Sequence, residues 1–599
     1  MLRILRRLSS TTNSGNGVNS YTLRTHNCGE LRSCDVGKNV KLYGWVNFKR
    51  MNKFIVLRDA YGTTQLKVKE TDVGSTKMIK SLFLESCIEV EGVVKDRGED
   101  RSTQMTTGDI EVEIEKIGIL NQVTSTLPLN PKNESSELLR MQHRYLDLRS
   151  PKMQRNLRMR SEVVHKMRRF LVEEAGFIDV ETPTLFRRTP GGANEFIVPA
   201  GGENKGKFYS LPQSPQQFKQ LLMVGGIDKY FQIARCYRDE GAKQDRQPEF
   251  TQVDLELSFT TQEKVMKLIE ELVEASWPEE LKAFNPGKNL ETRSFEEVMK
   301  KYGSDKPDLR IPWMLEGVPE SVRHLLRARE MECFVGKGVA SSFKKSDKKK
   351  WEKIMRVNGS CCNFVMFSMK DDNWFKGNAE FKNTKEELIK SLKLDGEDVV
   401  VMAWSDKIEH VQWTLGQLRN HLGSILTKPM KNVFKCLWVV DFPLFESEDG
   451  VNWTSTHHPF TAPRPEDLQN LGDSKLLHSI KGLHYDLVIN GMEVGGGSIR
   501  IHDATLQRHV FNNILKEDCS EITHLLDALA AGAPPHGGFA IGLDRFVSLL
   551  ASNGDSSESI REVIAFPKSK EGKCHLTNAP SGIDTKTLSR YGIQITNNS

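Results

Sequence analysis

From about Glu30 to Gln122, apolar residues fall at every second position in short runs separated by turns. Val40, Leu42, Gly44 and Val46 set the pattern, and Phe54–Leu57, Gln65–Val68, Ile88–Val94 and Ile110–Ile117 repeat it. Period two over such lengths predicts half-buried strands, and five of them in sequence predict a small β-barrel of the OB type. Thr124–Ser150, with Pro128, Pro131 and the basic string RMQHRYLDLRS, interrupts the pattern and is expected to be a hinge. The period then lengthens. Val163, Val164, Met167, Phe170 and Leu171 form a helical stripe closed by Gly176.

Alternation returns at Phe231, Ile233 and Cys236, breaks at a charged loop, and resumes at Val253, Leu255 and Leu257, predicting strand, loop, strand. Past Pro286 the pattern weakens, with a lysine-rich run at Lys344–Lys350, and it recovers after Lys428 in CLWVVDFPLF. Asp486–Ile489, Asn490-Gly491 and Met492-Glu493 predict a tight hairpin. The expected organisation is a multidomain α+β protein. Its divisions fall at 1–29, 30–123, 124–150, 151–285, 286–428 and 429–599.

Composition narrows the class. Charged residues at 27% and hydrophobic residues at 38% suit a globular chain. No run reaches the roughly 18–20 apolar residues that a bilayer span needs, so no membrane association is expected. A net charge of +5 permits an RNA partner without requiring one. Ten scattered cysteines with no CxxC pair point to reduced thiols and not to structural zinc. Residues 1–29 hold Arg3, Arg6, Arg7 and Arg24 and no acid, with Leu2, Ile4, Leu5 and Leu8 on one helical face. That is the composition of an organelle transit peptide. Gly201–Phe208, GGENKGKF, misses the phosphate-loop pattern because Phe208 stands where a Ser or Thr would hold magnesium, so a glycine turn between strands is expected.

The string YRDE…RQPEFTQVD at Tyr237–Asp254 resembles the second signature motif of class II aminoacyl-tRNA synthetases, in the form carried by aspartyl enzymes. GFIDVETPTL is similar to the first motif, a helix, strand and proline, and FAIGLDRF to the third. GWVNFKRMNKFIVLRDAYGTTQLKV resembles their anticodon-binding barrel. The resemblance implies an N-terminal OB-fold barrel, a catalytic domain built on an antiparallel sheet, and an inserted α+β domain of bacterial type. It implies ATP and Mg2+ as cofactors, L-aspartate and tRNA(Asp) as substrates, and a homodimer with Pro183 at its two-fold. With the transit-like start, it implies the mitochondrial matrix.

The resemblance also assigns residues. Ser214 and Gln216 would meet the substrate amino group, Lys219 and Arg500 its side-chain carboxylate, and His458, beside His457, would line that pocket, with Asp254 orienting the polar groups. Arg238, Asp239 and Glu240, then Gln247 and Phe250, would hold ATP, together with Glu493 and the run Gly542, Leu543, Asp544 and Arg545. Arg238 is expected on the α-phosphate, and Arg545 across adenine from Phe250. Asp486 and Glu493, meeting across their hairpin, would carry magnesium, whose hard oxygen preference they suit. Arg50, Phe54 and Gln65 would read the anticodon, Phe54 by stacking. One departure stands out. Gly191 occupies a position where many bacterial relatives carry a loop glutamate, with Glu195 nearby as a partial substitute.

Overall fold

The computed structural model describes residues 21–69, 71–189, 193–241, 245–325, 329–343, 351, 362–370 and 385–596. The expectations for Gly191, for Lys344–Lys350 and for most of the N-terminal segment lie outside these residues. The chain divides into two compact units, 1–154 and 155–599.

The five predicted strands of the first unit are Asn39–Arg50, Phe54–Arg58, Thr63–Val68, Cys87–Asp96 and Ile110–Asn121, and they close into a barrel. Its interior is filled by the inward set of each alternation, including Leu42, Val46, Ile55, Leu57, Leu66, Val90 and Val112. The barrel unit includes residues before Glu30. Thr25 pairs with Lys41 at 2.9 Å, Cys28 is fully buried, and its N–H donates to Asp59 at 2.9 Å. Residues 25–29 are therefore part of the barrel and not of a leader. The expected hinge is likewise strapped down. Arg149 pairs with the buried Glu85 at 3.0 Å and lies 4.9 Å from the Trp45 ring centre, while Lys132 donates to Asn47 O at 2.6 Å.

The second unit is built on an eight-stranded sheet. Its order is Glu291–Ser294, Cys436–Val440, His484–Ile489, Met492–Ile499, His536–Gly542, Glu249–Ser258, Lys229–Tyr237, Ile178–Asp179. The six inner strands are antiparallel and the two end pairings parallel. Alternation gives the sheet two different faces. Val253 and Leu255 join Val265, Ile269 and Leu272 of helix Gln262–Ser276 in the core, which leaves Phe250, Gln252, Asp254 and Glu256 on the opposite face. That face is the floor of the candidate site.

Glu291–Ser294 belongs to this sheet, so the inserted domain starts later than Pro286. Helix Phe295–Tyr302 still packs on the main sheet, through Val298 against Leu437 and Val439. The insertion is a four-stranded antiparallel sheet, in the order Leu315–Gly317, Glu330–Gly336, Val399–Ser405, Asn363–Ser368. Helix Ile408–Leu426 covers it through Val411, Leu415, Leu418 and Leu422. Gly201–Phe208 forms the expected turn between paired strands Ile197–Pro199 and Phe208–Ser210.

Candidate active site

A cavity of about 660 Å³ opens over the sheet. Ser214, Gln216, Lys219, Arg238, Glu240, Phe250, Asp254, His458, Glu493, Arg500, Gly542 and Arg545 all contribute to its wall, so residues from four distant stretches of sequence meet there. Asp239, Asp486 and Leu543 do not line it.

At the deep end sits a buried cluster of two cations and two anions. Lys219 Nζ lies 2.7 Å from Asp254 Oδ1 and 3.2 Å from Glu256 Oε2. Arg500 donates from Nε to Glu256 Oε1 at 3.0 Å and from Nη2 to Glu256 Oε2 at 3.2 Å. Its Nη1 donates to Ser498 Oγ at 2.6 Å and also meets His458 Nε2. Burial would raise the Glu256 carboxyl, but Arg500 and Lys219 outweigh that and hold it below the usual range. Asp254, with one weaker set of partners, is pushed up by burial. His457 and His458 are driven well below the ordinary imidazole value by burial and by neighbouring histidine or cationic groups, so both are neutral. Arg500, expected at the substrate's side-chain carboxylate, thus makes a two-pronged pair with Glu256. Glycine at 538 gives Glu256 its room, since a Cβ there would sit 2.0 Å from Oε2.

At the shallow end the guanidinium of Arg238 lies 5.0 Å from the Phe250 ring centre, the face where Arg545 was expected to act through a base. Arg238 is half-buried, and its buried Nε has no hydrogen-bond partner among the described residues. Arg545 reaches Asp245 Oδ2 at 2.9 Å and Glu493 O at 3.2 Å. Asp486 and Glu493 are not directly opposite. A bulge places Asp486 across from Gly496 and Glu493 across from Val488. Both carboxylates nevertheless interact, and burial raises Asp486 while His484 holds its Oδ1 at 2.9 Å. Glu493 is held below the usual range because Lys306 and Arg545 outweigh its burial.

Three residues expected at ATP have structural partners, although Gln247 and Asp544 also line the cavity. Gln247 uses both ends of its carboxamide on the backbone of Lys568, at 2.7 and 3.1 Å. Leu543 is buried in the core. Asp544 accepts from Arg160 Nη1 at 2.6 Å and from Thr251 N at 2.8 Å, tying three motif segments together. Glu195 is similarly engaged, accepting from Thr189 N at 3.1 Å.

On the barrel, strand register puts Arg50 opposite Phe54, Phe54 opposite Lys67, and Val56 opposite Gln65. Arg50, Phe54 and Gln65 therefore share the outer face, with Arg50 5.2 Å from the Phe54 ring centre. Gln65 is held there by Glu111, to which it donates at 2.9 Å, and Lys67 pairs with the other oxygen at 2.9 Å.

Comparison with known proteins agrees with this layout. The profile for tRNA synthetases class II (D, K and N) matches residues 136–570, and that for the OB-fold nucleic acid binding domain matches 40–120. The mitochondrial aspartate–tRNA ligase of Mus musculus is 42% identical over 96% of this chain and 90% of its own length. The aspartate–tRNA ligase of Thermosipho melanesiensis is 40% identical over 96% of this chain and 98% of its own. The chain belongs to the aspartate–tRNA ligase family of class II synthetases. Its fold is also that of the solved asparaginyl-tRNA synthetase of Pyrococcus horikoshii complexed with asparaginyl-adenylate. That structure gives a TM-score of 0.57 at 20% identity, covering 91% of this chain and 98% of the other.

For this class II synthetase, sequence reasoning overlooked Glu256, Glu111 and Glu517. Glu256 follows Asp254 at the strand period, and that spacing was the available signal. Glu111 begins a period-two run in the same way. Glu517 lines the cavity, and its Oε2 is buried without a hydrogen-bond partner among the described residues. Nothing in the pattern around it marked it out.

Proposed function

We infer that the chain joins L-aspartate to tRNA(Asp) by way of aspartyl-adenylate, and that it serves mitochondrial translation. The buried cation pair at the deep end of the cavity carries the reading. Lys219 has three ammonium protons and Arg500 five guanidinium protons. Two and four of these have partners, which leaves one on Nζ and one on Nη2. Both groups share Glu256 Oε2 as a partner, so the two remaining donors are neighbours. They suit the two acceptor oxygens of a carboxylate, whereas the NH2 of asparagine would set donor against donor.

In the first step an α-carboxylate oxygen of aspartate forms a bond to the α-phosphorus of ATP, and the bond to pyrophosphate breaks. Arg238 stabilises the α-phosphate and Phe250 offers its ring to the base, with the guanidinium moving off that ring as the base arrives. Ser214 and Gln216 face the substrate amino group. Arg545 holds the departing phosphates. Asp486 and Glu493 suit Mg2+: they are hard oxygen donors on paired strands and interact with each other, and Gly496, where a Cβ would lie 2.4 Å from Asp486 Oδ1, gives that carboxylate its room. When bound, the ion supplies charge neutralisation on the triphosphate. In the second step a terminal ribose hydroxyl of tRNA forms an ester bond to the aspartyl carbonyl carbon, the bond from that carbon to the phosphate oxygen breaks, and the hydroxyl proton passes to the phosphate of the departing AMP. Positioning and electrostatics account for both steps without a protein proton carrier.

Two further features complete the reading. Ile178 and Leu185 beside the edge strand, with Val172, Ile197 and Phe208, are exposed. Exposed apolar residues on and following an edge strand suit an interface between two copies of the chain. The Arg-rich start and the mitochondrial relatives support mitochondrial localisation. No described helix is long and apolar enough to cross a membrane. Charging of a tRNA(Asp) transcript with labelled aspartate tests the whole reaction. Product that is alkali-labile and absent with asparagine is expected, and absence of charging by folded protein overturns the proposal.

A further inference from the structure

The neck that leads from the main sheet into the inserted domain, Gly303–Trp313, is pinned from two sides. From the insertion, the buried Arg419 donates to the carbonyls of Asp308 at 3.1 Å, Ile311 at 2.7 Å and Trp313 at 2.6 Å. From the catalytic side, the Asn490-Gly491 turn presses against it. Gly491 has φ +81°, and a Cβ there would meet Asp308 Cβ at 3.1 Å. Arg310, paired with Asp308 at 2.7 Å, donates to Gly554 O at 2.7 Å, and the same carbonyl accepts from Asn490 Nδ2 at 2.9 Å. The neck is thus fixed to the turn of the hairpin that carries Asp486 and Glu493.

Just ahead of these anchors the neck presents Lys306. Its N–H donates to Ser304 Oγ at 3.2 Å, and its Nζ lies 3.1 Å from Asp305 and 3.5 Å from Glu493 Oε2. Arg545 Nη1 approaches that same oxygen at 3.9 Å. Burial disfavours the charge on Lys306, but Asp305, Glu493 and Asp486 outweigh it. Two cations from opposite sides of the chain therefore converge on one carboxylate oxygen, and one of them comes from the inserted domain's stem.

We propose that Lys306 is a positioning residue for the phosphate end of the ATP site, holding Glu493 in place and competing with a divalent cation for the same oxygen. The proposal rests on the reading above that Asp486 and Glu493 face the triphosphate. A fixed positive charge at this distance weakens the carboxylates' hold on a free divalent cation and strengthens the field offered to a triphosphate. Its removal has opposite effects on the two ligands. Loss of structure cannot produce that pair of signs.

The test compares full-length wild type, Lys306→Met and Lys306→Arg. Mn2+ alone is titrated in by calorimetry, and pyrophosphate exchange gives KM for ATP and for aspartate. In Lys306→Met, Mn2+ binding is expected to tighten and the ATP KM to rise, each by about tenfold. The aspartate KM should be unchanged, and Lys306→Arg should restore both values towards wild type. Unchanged or weakened Mn2+ binding in Lys306→Met, with a wild-type urea unfolding curve, overturns the proposal. So does an aspartate KM that rises in step with that for ATP. A wild type lacking aspartate-dependent exchange would overturn the functional reading instead, and the Mn2+ titration would still decide the case for Lys306.

Discussion

Arg500 and Glu256 form a two-pronged ion pair in the interior, Nε to Oε1 at 3.0 Å and Nη2 to Oε2 at 3.2 Å. Glu256 therefore aims Arg500 and balances Lys219 as well. Glu256→Gln keeps the shape and removes the charge, leaving buried cations without their counter-ion. A loss of about 3–5 kcal/mol in unfolding free energy is expected from urea denaturation. The aspartate KM of the folded fraction should rise more than the ATP KM.

Arg500→Leu and Lys219→Leu remove the two donors left for the substrate carboxylate. Each is expected to lower aspartate activation by about a hundredfold or more. Binding of a non-hydrolysable ATP analogue, measured by calorimetry, should be retained, because Arg238, Phe250 and Arg545 lie at the other end of the cavity. Near-normal activation in both variants would remove the pocket assignment.

The two buried histidines set a direction for acid sensitivity. The folded pKa values of His457 and His458 lie below the unfolded value of about 6.5. Above that value both states are neutral and the stability is fully present. As pH falls through it, the unfolded chain takes up protons that the folded chain refuses, so stability drops by up to ~1.4 kcal/mol per pH unit for each histidine. The urea midpoint should fall between pH 7 and pH 5. In the double variant His457→Gln/His458→Gln that fall should be shallower, and an equal slope would contradict the assignment.

The outer face of the barrel gives a separable prediction. Phe54→Ala should weaken tRNA binding by about 1–3 kcal/mol, read as a raised KM for tRNA in charging. Pyrophosphate exchange without tRNA should be unaffected. Glu111→Gln, which loosens both Gln65 and Lys67, should act in the same direction.

Strands and their faces were legible because alternation is a local property. The same pattern that predicted the strand at Val253 and Leu255 also placed Asp254 across from them. What each polar side chain does was less legible, because it depends on neighbours far away in sequence. Asp544 reads as part of a ligand motif, yet Arg160 and Thr251 claim both its oxygens. Arg500 reads as a free clamp until Glu256 is found beneath it. The inserted domain's start was misplaced because Glu291–Ser294 pairs in parallel with a strand from the far side of the insertion. Pro128 and Pro131 mark the expected hinge, which ends close to the division at 154, and Arg149 and Lys132 fasten that segment to the barrel.

The central claim is that the deep pocket selects a side-chain carboxylate for activation by ATP. Aspartate-dependent ATP–pyrophosphate exchange, with asparagine as the control, tests it most directly. The account predicts exchange with aspartate and none above background with asparagine. Equal exchange with both, or exchange with neither in folded protein, would contradict it.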